Sequence, residues 1–328
     1  HKLRGIVRFQ VAGLIGDAMG APVETKTYKE IEKMFGQVND FNGIGTDDSA
    51  IKNILCQAII KNNGYITADE FAESFLKNKD KYPLFYISVK RMFHKIRKKI
   101  SLPVYAGLNN IESSSSAMAI SPMGLINACN PRQAALETFD VAGLIHSGRS
   151  TFCRDGSCAM AAAVAEAMKI NSTVDSVLNA STKYLHKTSS AEMIKYINTS
   201  IKMARDLKDY KKFREKFYIK IANKPTYDSR ETVSCALGIF YLSKGDPVKA
   251  IIYGANFGRD TDTIATMAGS LSGAFSSVDK IKPEWVKKIV RYNPEQNKLA
   301  KQIVNIIKRR IKNDKSRIKS FEKLIGKR

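Results

Sequence analysis

The sequence predicts an all-α protein. Apolar residues recur at helical spacing through most of the 328 residues, and the strict alternation of a half-buried strand is nearly absent. Turn residues close many of these runs, as at Asn63-Gly64, Asn130-Pro131 and Gly245-Asp246-Pro247. In chain order, helices are expected over residues 30–35, 50–61, 68–76, 131–145, 156–168, 174–184, 191–205, 231–243, 247–255 and 261–276. Residues 50–61 are the clearest case, with Ile51, Ile54, Leu55, Ala58 and Ile59 on one face. The domain reads as about a dozen helices, with one or two amphipathic helices appended. No strand–helix alternation supports a parallel sheet.

Composition narrows the class. At 44 % apolar and 26 % charged residues, the chain can build a substantial core, which excludes wholesale disorder. No run of about 18 apolar residues suggests a membrane span. No secretion signal is visible near the start, so a cytoplasmic location is expected. Five scattered cysteines, without CxxC spacing, read as reduced thiols rather than a zinc site. The net charge is +23, and residues 297–328 hold twelve Lys or Arg against Asp314 and Glu322. Six more cations fall between Lys90 and Lys99 without an acid. Such a balance suits nucleic acid, anionic lipid or another acidic partner. The simpler reading is a solvated lysine-rich surface, since no nucleic-acid motif accompanies it. A boundary is expected near Glu295, between a catalytic domain (1–295) and a basic amphipathic helical extension (296–328).

Three segments concentrate chemistry. In GLIGDAMGAPVE, Gly13, Gly16 and Gly20 lie on adjoining helical turns, where small residues let another backbone approach. That helix should stop before Pro22, leaving Glu24 on a loop and Asp17 satisfied inside. In GIGTDDS, Thr46, Asp47, Asp48 and Ser49 open the next long helix. One helix cap needs one such residue, so the excess of oxygen donors points to Mg²⁺ or Mn²⁺. In GRDTDT, Asp260, Asp262 and Thr263 head a helix built from Ala265, Ala268, Gly269, Ser270, Ser272, Gly273 and Ala274. So small a helix belongs deep in a bundle, where its carboxylates need a cation. Two such clusters plus Glu24 can furnish a two-metal site.

These three segments resemble the ADP-ribosylglycohydrolase family, which includes the dinitrogenase reductase-activating glycohydrolases. The likeness continues through SAMAISPMGL (116–125), AGLIH (142–146) and ETVSCAL (231–237), in the correct order over residues 7–278. It implies an orthogonal all-α multi-helix bundle with two divalent ions, Mg²⁺ or Mn²⁺. The implied ligands are Thr46, Asp47, Asp48, Asp260, Asp262 and Thr263. Glu24 matches the loop glutamate near the scissile bond, and either Glu24 or Asp48 would take the proton of the attacking water. Gly107, Ser115, Ser116 and Gly148 would offer donors to sugar or phosphate, with His146 and Arg259 completing the substrate-binding set. Tyr105, Tyr227, Arg149 and Arg154 are further candidates to stack on or clamp the ligand.

Three departures bear on the substrate. Ala119 stands where the family has an arginine, Ser113–Ser116 replace a glycine–asparagine pair that often precedes it, and Arg259 stands where a glycine is usual. The activity implied is hydrolysis of an ADP-ribosyl, or related ribosyl, N- or O-glycosidic bond, on an ADP-ribosylated protein or a small conjugate. The alternatives are a hydrolase of free nucleosides or small ADP-ribose conjugates, and a non-catalytic metal- or ADP-ribose-binding protein. A nucleic acid or acidic partner on the basic tail belongs to a different class of function.

Overall fold

The glycine-spaced segment lies on one long first helix, α1 (Lys2–Gly20), which ends in a 3₁₀ turn (Ala21–Val23) just before Glu24. The computed structural model describes residues 2–222, 224–276 and 280–326, with side chains from residue 11 onward. After α1 come α2 (Tyr28–Phe35), α3 (Asp47–Lys61), α4 (Ala68–Lys77), α5 (Ile87–Arg97), α6 (Pro103–Ala106) and α7 (Ser121–Ile126). The middle of the chain holds α8 (Pro131–Gly143), α9 (Thr151–Ala167), α10 (Val174–Lys183), α11 (Ala191–Leu207) and α12 (Tyr210–Lys220). The last five are α13 (Ser229–Leu242), α14 (Pro247–Ala255), α15 (Thr261–Phe275), α16 (Pro283–Tyr292) and α17 (Gln296–Leu324). Among the described residues there is no strand, only isolated bridges from Thr27 to Gly258 and from Leu108 to Ser147.

The all-α expectation therefore holds, with more helices than the periodicity revealed. α12 escapes a periodicity reading because cations dilute its apolar positions, whereas α5 carries a regular apolar face of Val89, Met92, Phe93 and Ile96 within its run of cations. In α12 (YKKFREKFYIK) the buried residues are Phe213, Arg214 and Phe217. The helix expected from 156 begins earlier, at Thr151, and the one expected to reach 145 stops at Gly143.

Starts are fixed by side chains. Thr27 with Glu30, and Thr67 with Glu70, form capping boxes, each satisfying two orphan backbone donors. Asp209, Asp228 and Asp246 cap α12, α13 and α14.

The centre of the bundle is the crossing of α1 over α15. A side chain at Gly16 would run into the backbone of Ala265, and one at Gly20 into the backbone of Asp262. From the other side, a Cβ on Gly269 would lie 2.8 Å from the Ala12 carbonyl oxygen. Thr261 seals the crossing by donating from its hydroxyl to the Gly20 carbonyl at 2.9 Å. Around this pair, α9 is buried almost along its whole length, from Phe152 to Ala167.

The tail is a single helix. Its first half buries Leu299, Ala300, Ile303, Val304, Ile306 and Ile307 against a bundle surface that includes α1, α3 and α7. Arg310 anchors it, bonding Gly64 (2.6 Å), Asn127 (2.8 Å) and Glu137 (2.7 Å). Among the described residues no helix is long and apolar enough to cross a membrane.

Replacing Gly16 with Ala should lower unfolding free energy by about 3 kcal/mol, because neither backbone can retreat. Urea denaturation measures this. An effect within about 0.5 kcal/mol, the usual range for surface positions, would contradict the close crossing.

Candidate metal centre

Three elements deliver the acidic side chains. The crossing of α1 over α15 sets Asp17 and the turn before Glu24 beside the head of α15. Asp17 then captures the start of α3. Its buried carboxylate accepts from the backbone N–H of Thr46 (2.9 Å) and of Ser49 (3.1 Å), and from the Ser49 hydroxyl. Gly45 (φ +89°) turns the chain into this cap, in space where a Cβ would strike that same carboxylate. Thr46 caps α3 in its turn, accepting from the Asp48 N–H at 3.3 Å.

The loop bearing Glu24 is bolted to the loop bearing Asp260. The Thr25 N–H donates to the Arg259 carbonyl at 2.7 Å, and the Arg259 N–H donates to the Lys26 carbonyl at 2.6 Å. Arg259 holds this geometry at φ +68°, a left-handed conformation that explains why glycine suits the position. Its side chain turns away from the cavity to pair with the buried Glu231 and the Lys224 carbonyl.

The result is a dense acidic centre. One carboxylate oxygen each from Glu24, Asp260 and Asp262 lie within 4.8 Å of one another. Asp48 sits beside them. Its Oδ2 accepts from the hydroxyls of Thr46 (3.3 Å) and Thr263 (3.4 Å), and the Thr46 hydroxyl also reaches Asp262 at 3.2 Å. Asp47 lies at the edge, accepting from the Tyr86 N–H at 3.0 Å. Asp48 Oδ1 and Asp262 Oδ1 are buried without any hydrogen-bond donor. Orphaned buried carboxylate oxygens require a cation or a proton, and an all-oxygen donor set is what Mg²⁺ and Mn²⁺ prefer. The residues present thus fit divalent ions.

The electrostatics agree. Burial, followed by the charge of neighbouring Asp262, pushes the Asp17 and Glu24 carboxyls up to about 7. Burial raises Asp47 to about 6 and lifts Asp48 and Asp260 well above the usual carboxylate range. A buried base lies below the centre. Lys52, one turn along α3 from Asp48, is fully enclosed, and its Nζ has no hydrogen-bond partner. Burial pulls its pKa down, while the charges of Asp17 and Asp48 oppose that shift.

The carboxylates line a cavity of about 300 Å³. The rest of its wall includes Ser113, Ser114, Ser115 and Met118, with Tyr86, Thr226 and Tyr227. The rings of Tyr86 and Tyr227 stand 5.0 Å apart. Ser115 is where a substrate contact was expected, but Gly107, Ser116, His146, Gly148 and the Arg259 side chain are not on the wall. His146 is fully buried behind it, bonded to Ser113 (3.1 Å) and Ser116 (2.8 Å), and burial holds its pKa near 3, so the ring is neutral. Ser116 is tied further to Ser157 at 2.9 Å. A Cβ on Gly107 would sit 2.6 Å from the His146 backbone nitrogen, and one on Gly148 would sit 2.7 Å from Leu108, so neither position has room for a side chain. Arg154 stacks on Phe139 at 3.6 Å, Arg149 pairs with Glu112, and Tyr105 is largely exposed, none of them at the cavity. Ser113 and Ser114 belong to the 107–116 stretch expected to offer donors, whereas Tyr86 was not singled out by the sequence. Nothing in α5 marks Tyr86 until the Asp47 hydrogen bond is seen.

Fold and centre together place the chain in a family of hydrolases that cleave glycosyl bonds. It belongs to the ADP-ribosylglycohydrolase family, whose sequence model matches residues 6–314, and it is by that membership a glycohydrolase. Among its relatives is the uncharacterized protein YegU of Escherichia coli K12, 25 % identical over 292 residues, covering 82 % of this chain and 86 % of that one. ADP-ribosylhydrolase ARH3 of Bos taurus is 23 % identical over an alignment of 350 positions, covering 93 % and 94 %. A solved structure titled "ADP-ribosylglycohydrolase-related protein complex" shares the fold, with a TM-score of 0.67 at 17 % identity, over 94 % of this chain and 99 % of that one.

The raised carboxyls fix a sign for pH. Between about pH 4 and 7 the folded, metal-free protein binds more protons at Asp17, Glu24 and Asp47 than the unfolded chain does. These groups therefore cost stability as pH rises through that window. Divalent ions held by the deprotonated centre would reverse the trend. Melting temperatures across that range should fall relative to the ion-loaded protein when EDTA is present. Parallel curves with and without Mn²⁺ would contradict this.

Proposed function

We propose that this chain hydrolyses an ADP-ribosyl N- or O-glycosidic bond in a reaction that depends on two divalent ions. The observation that carries the reading is the convergence of Glu24, Asp260 and Asp262, with orphaned oxygens on Asp48 and Asp262, on one wall of an open cavity. Thr46, Asp47, Asp48, Asp260, Asp262 and Thr263 would hold the ions, with Glu24 at their edge. When bound, the ions supply positive charge for the ribose cis-diol and raise the acidity of water at the centre.

The chain's own residues account for the rest. Glu24 is the one acid of the trio that stays exposed, so it is placed to take the proton of the attacking water. Asp48, fully buried and held by two threonine hydroxyls, serves better as a fixed ligand. A developing positive charge at the anomeric carbon is stabilised by the surrounding carboxylates. The Tyr86–Tyr227 pair offers an aromatic face for a base or a flat leaving group. The serine wall presents short polar side chains to the cavity. An ADP-ribosylated protein or a small ADP-ribose conjugate are both compatible with this open cleft. The name of the ARH3 relative favours ADP-ribosyl over plain nucleoside substrates.

The test measures free ADP-ribose released from ADP-ribosyl-Arg, ADP-ribosyl-Ser and O-acetyl-ADP-ribose, with nucleosides in parallel, in Mg²⁺, Mn²⁺ and EDTA. Turnover should require the ions, and Asp260→Asn should lower kcat/KM by at least about 100-fold. Glu24→Gln should reduce kcat at a similar KM and leave ion binding measurable. Turnover of nucleosides alone, or activity untouched by EDTA, would overturn the proposal.

A further inference from the structure

α17 continues well past the surface it packs on. Its 29 residues span roughly 44 Å, and Arg310 is its last buried residue. The apolar stripe does not stop there. At the helical period, Ile311, Ile318, Phe321 and Ile325 fall on the same side as Ala300, Ile303, Val304 and Ile307, which are buried. Beyond Arg310 that side is open, with Ile311 50 %, Ile318 51 %, Phe321 65 % and Ile325 60 % exposed. An apolar ridge about 20 Å long thus extends from a buried interface into solvent.

Charge surrounds the ridge. Residues 311–328 contain seven Lys or Arg against Asp314 and Glu322, a net of +5. At the helical period Lys315 and Arg317 flank the stripe on its two margins, and Lys312, Lys319 and Lys323 lie opposite it. Asp314, the acid nearest the centre of the stripe, has Arg317 within 3.6 Å. The family match ends at residue 314, so most of this stretch lies outside the part of the chain shared with the family.

The chemistry of the stripe selects its occupant. A second copy would bring two segments of net +5 together. Nucleic acid would engage the cations and leave the ridge wet. An anionic bilayer uses both halves, because apolar side chains enter the acyl boundary while lysines and arginine meet the headgroup phosphates. We propose that residues 311–328 are a surface anchor that docks this enzyme on anionic lipid membranes. The anchor is independent of the reading given to the acidic centre.

Sedimentation of the full chain with vesicles tests it, using phosphatidylcholine alone and phosphatidylcholine with about 30 % phosphatidylglycerol at low salt. The anionic vesicles should bind at least about tenfold more tightly. A chain ending at Asn313 should lose that binding while keeping the melting temperature of the full chain, because every buried residue of α17 is retained. Ile318→Ser with Phe321→Ser keeps every charge and should also lose it. Binding that survives the truncation would place the lipid contact elsewhere and overturn the proposal. Binding that survives the double serine variant would show attraction by charge without insertion, which also overturns it. So would a full chain that ignores anionic vesicles but dimerises or retards an oligonucleotide.

Discussion

The close crossing of α1 over α15 is the constraint from which the centre follows. Two helices at ordinary separation would leave Glu24 and Asp262 in different parts of the molecule. Glycine at positions 13, 16 and 20 removes the side chains that would hold the helices apart, and Gly269 does the same from the other side. Each glycine weakens its helix by up to about 1 kcal/mol relative to alanine. The return is positional: the end of one helix and the start of the other meet, bringing a loop glutamate and a helix-head acid pair into one space. Asp17 extends the same logic, since its place on α1 lets it hold the first turn of α3 and fix Thr46, Asp47 and Asp48 relative to the other two segments.

Assembling this much negative charge costs stability unless something offsets it. The protein supplies partial relief through threonine hydroxyls, backbone donors at the helix starts and the nearby buried amine of Lys52. None of these reaches the free oxygens of Asp48 and Asp262. The fold therefore carries a local conflict that it does not resolve with its own groups. Such conflicts concentrate where a chain is shaped for a ligand rather than for its own stability.

Much of this was legible in the sequence, for identifiable reasons. Small residues at helical spacing read directly as close packing, and acids in excess of one cap read as a site. Glu24, Asp260 and Asp262 accordingly fall together as their motifs suggest. What escaped reading depends on partners distant in the chain. Tyr86 precedes a cation-rich helix and joins the cleft through a backbone bond to Asp47, 39 residues away. His146 reads as a possible ligand contact, yet the serines of 113–116 enclose it. Arg259 looks like a substrate clamp until its partner, Glu231, is seen 28 residues back and fully buried. α12 was missed because tertiary packing, not periodicity, makes it a helix.

The hydroxyl network behind the serine wall has a consequence for how this cleft can change. Ser88 bonds both Ser113 (2.8 Å) and Ser115 (2.9 Å), Ser229 holds the Ser113 carbonyl at 2.6 Å, and His146 and Ser157 close the set. Each hydroxyl has several partners, so removing one leaves its neighbours short of a bond in a buried set. The mutational landscape of this wall is consequently rugged, with single steps penalised and only exchange of several members together tolerated. New substrate preferences on that side of the cleft are expected to arise by concerted exchange of neighbouring residues.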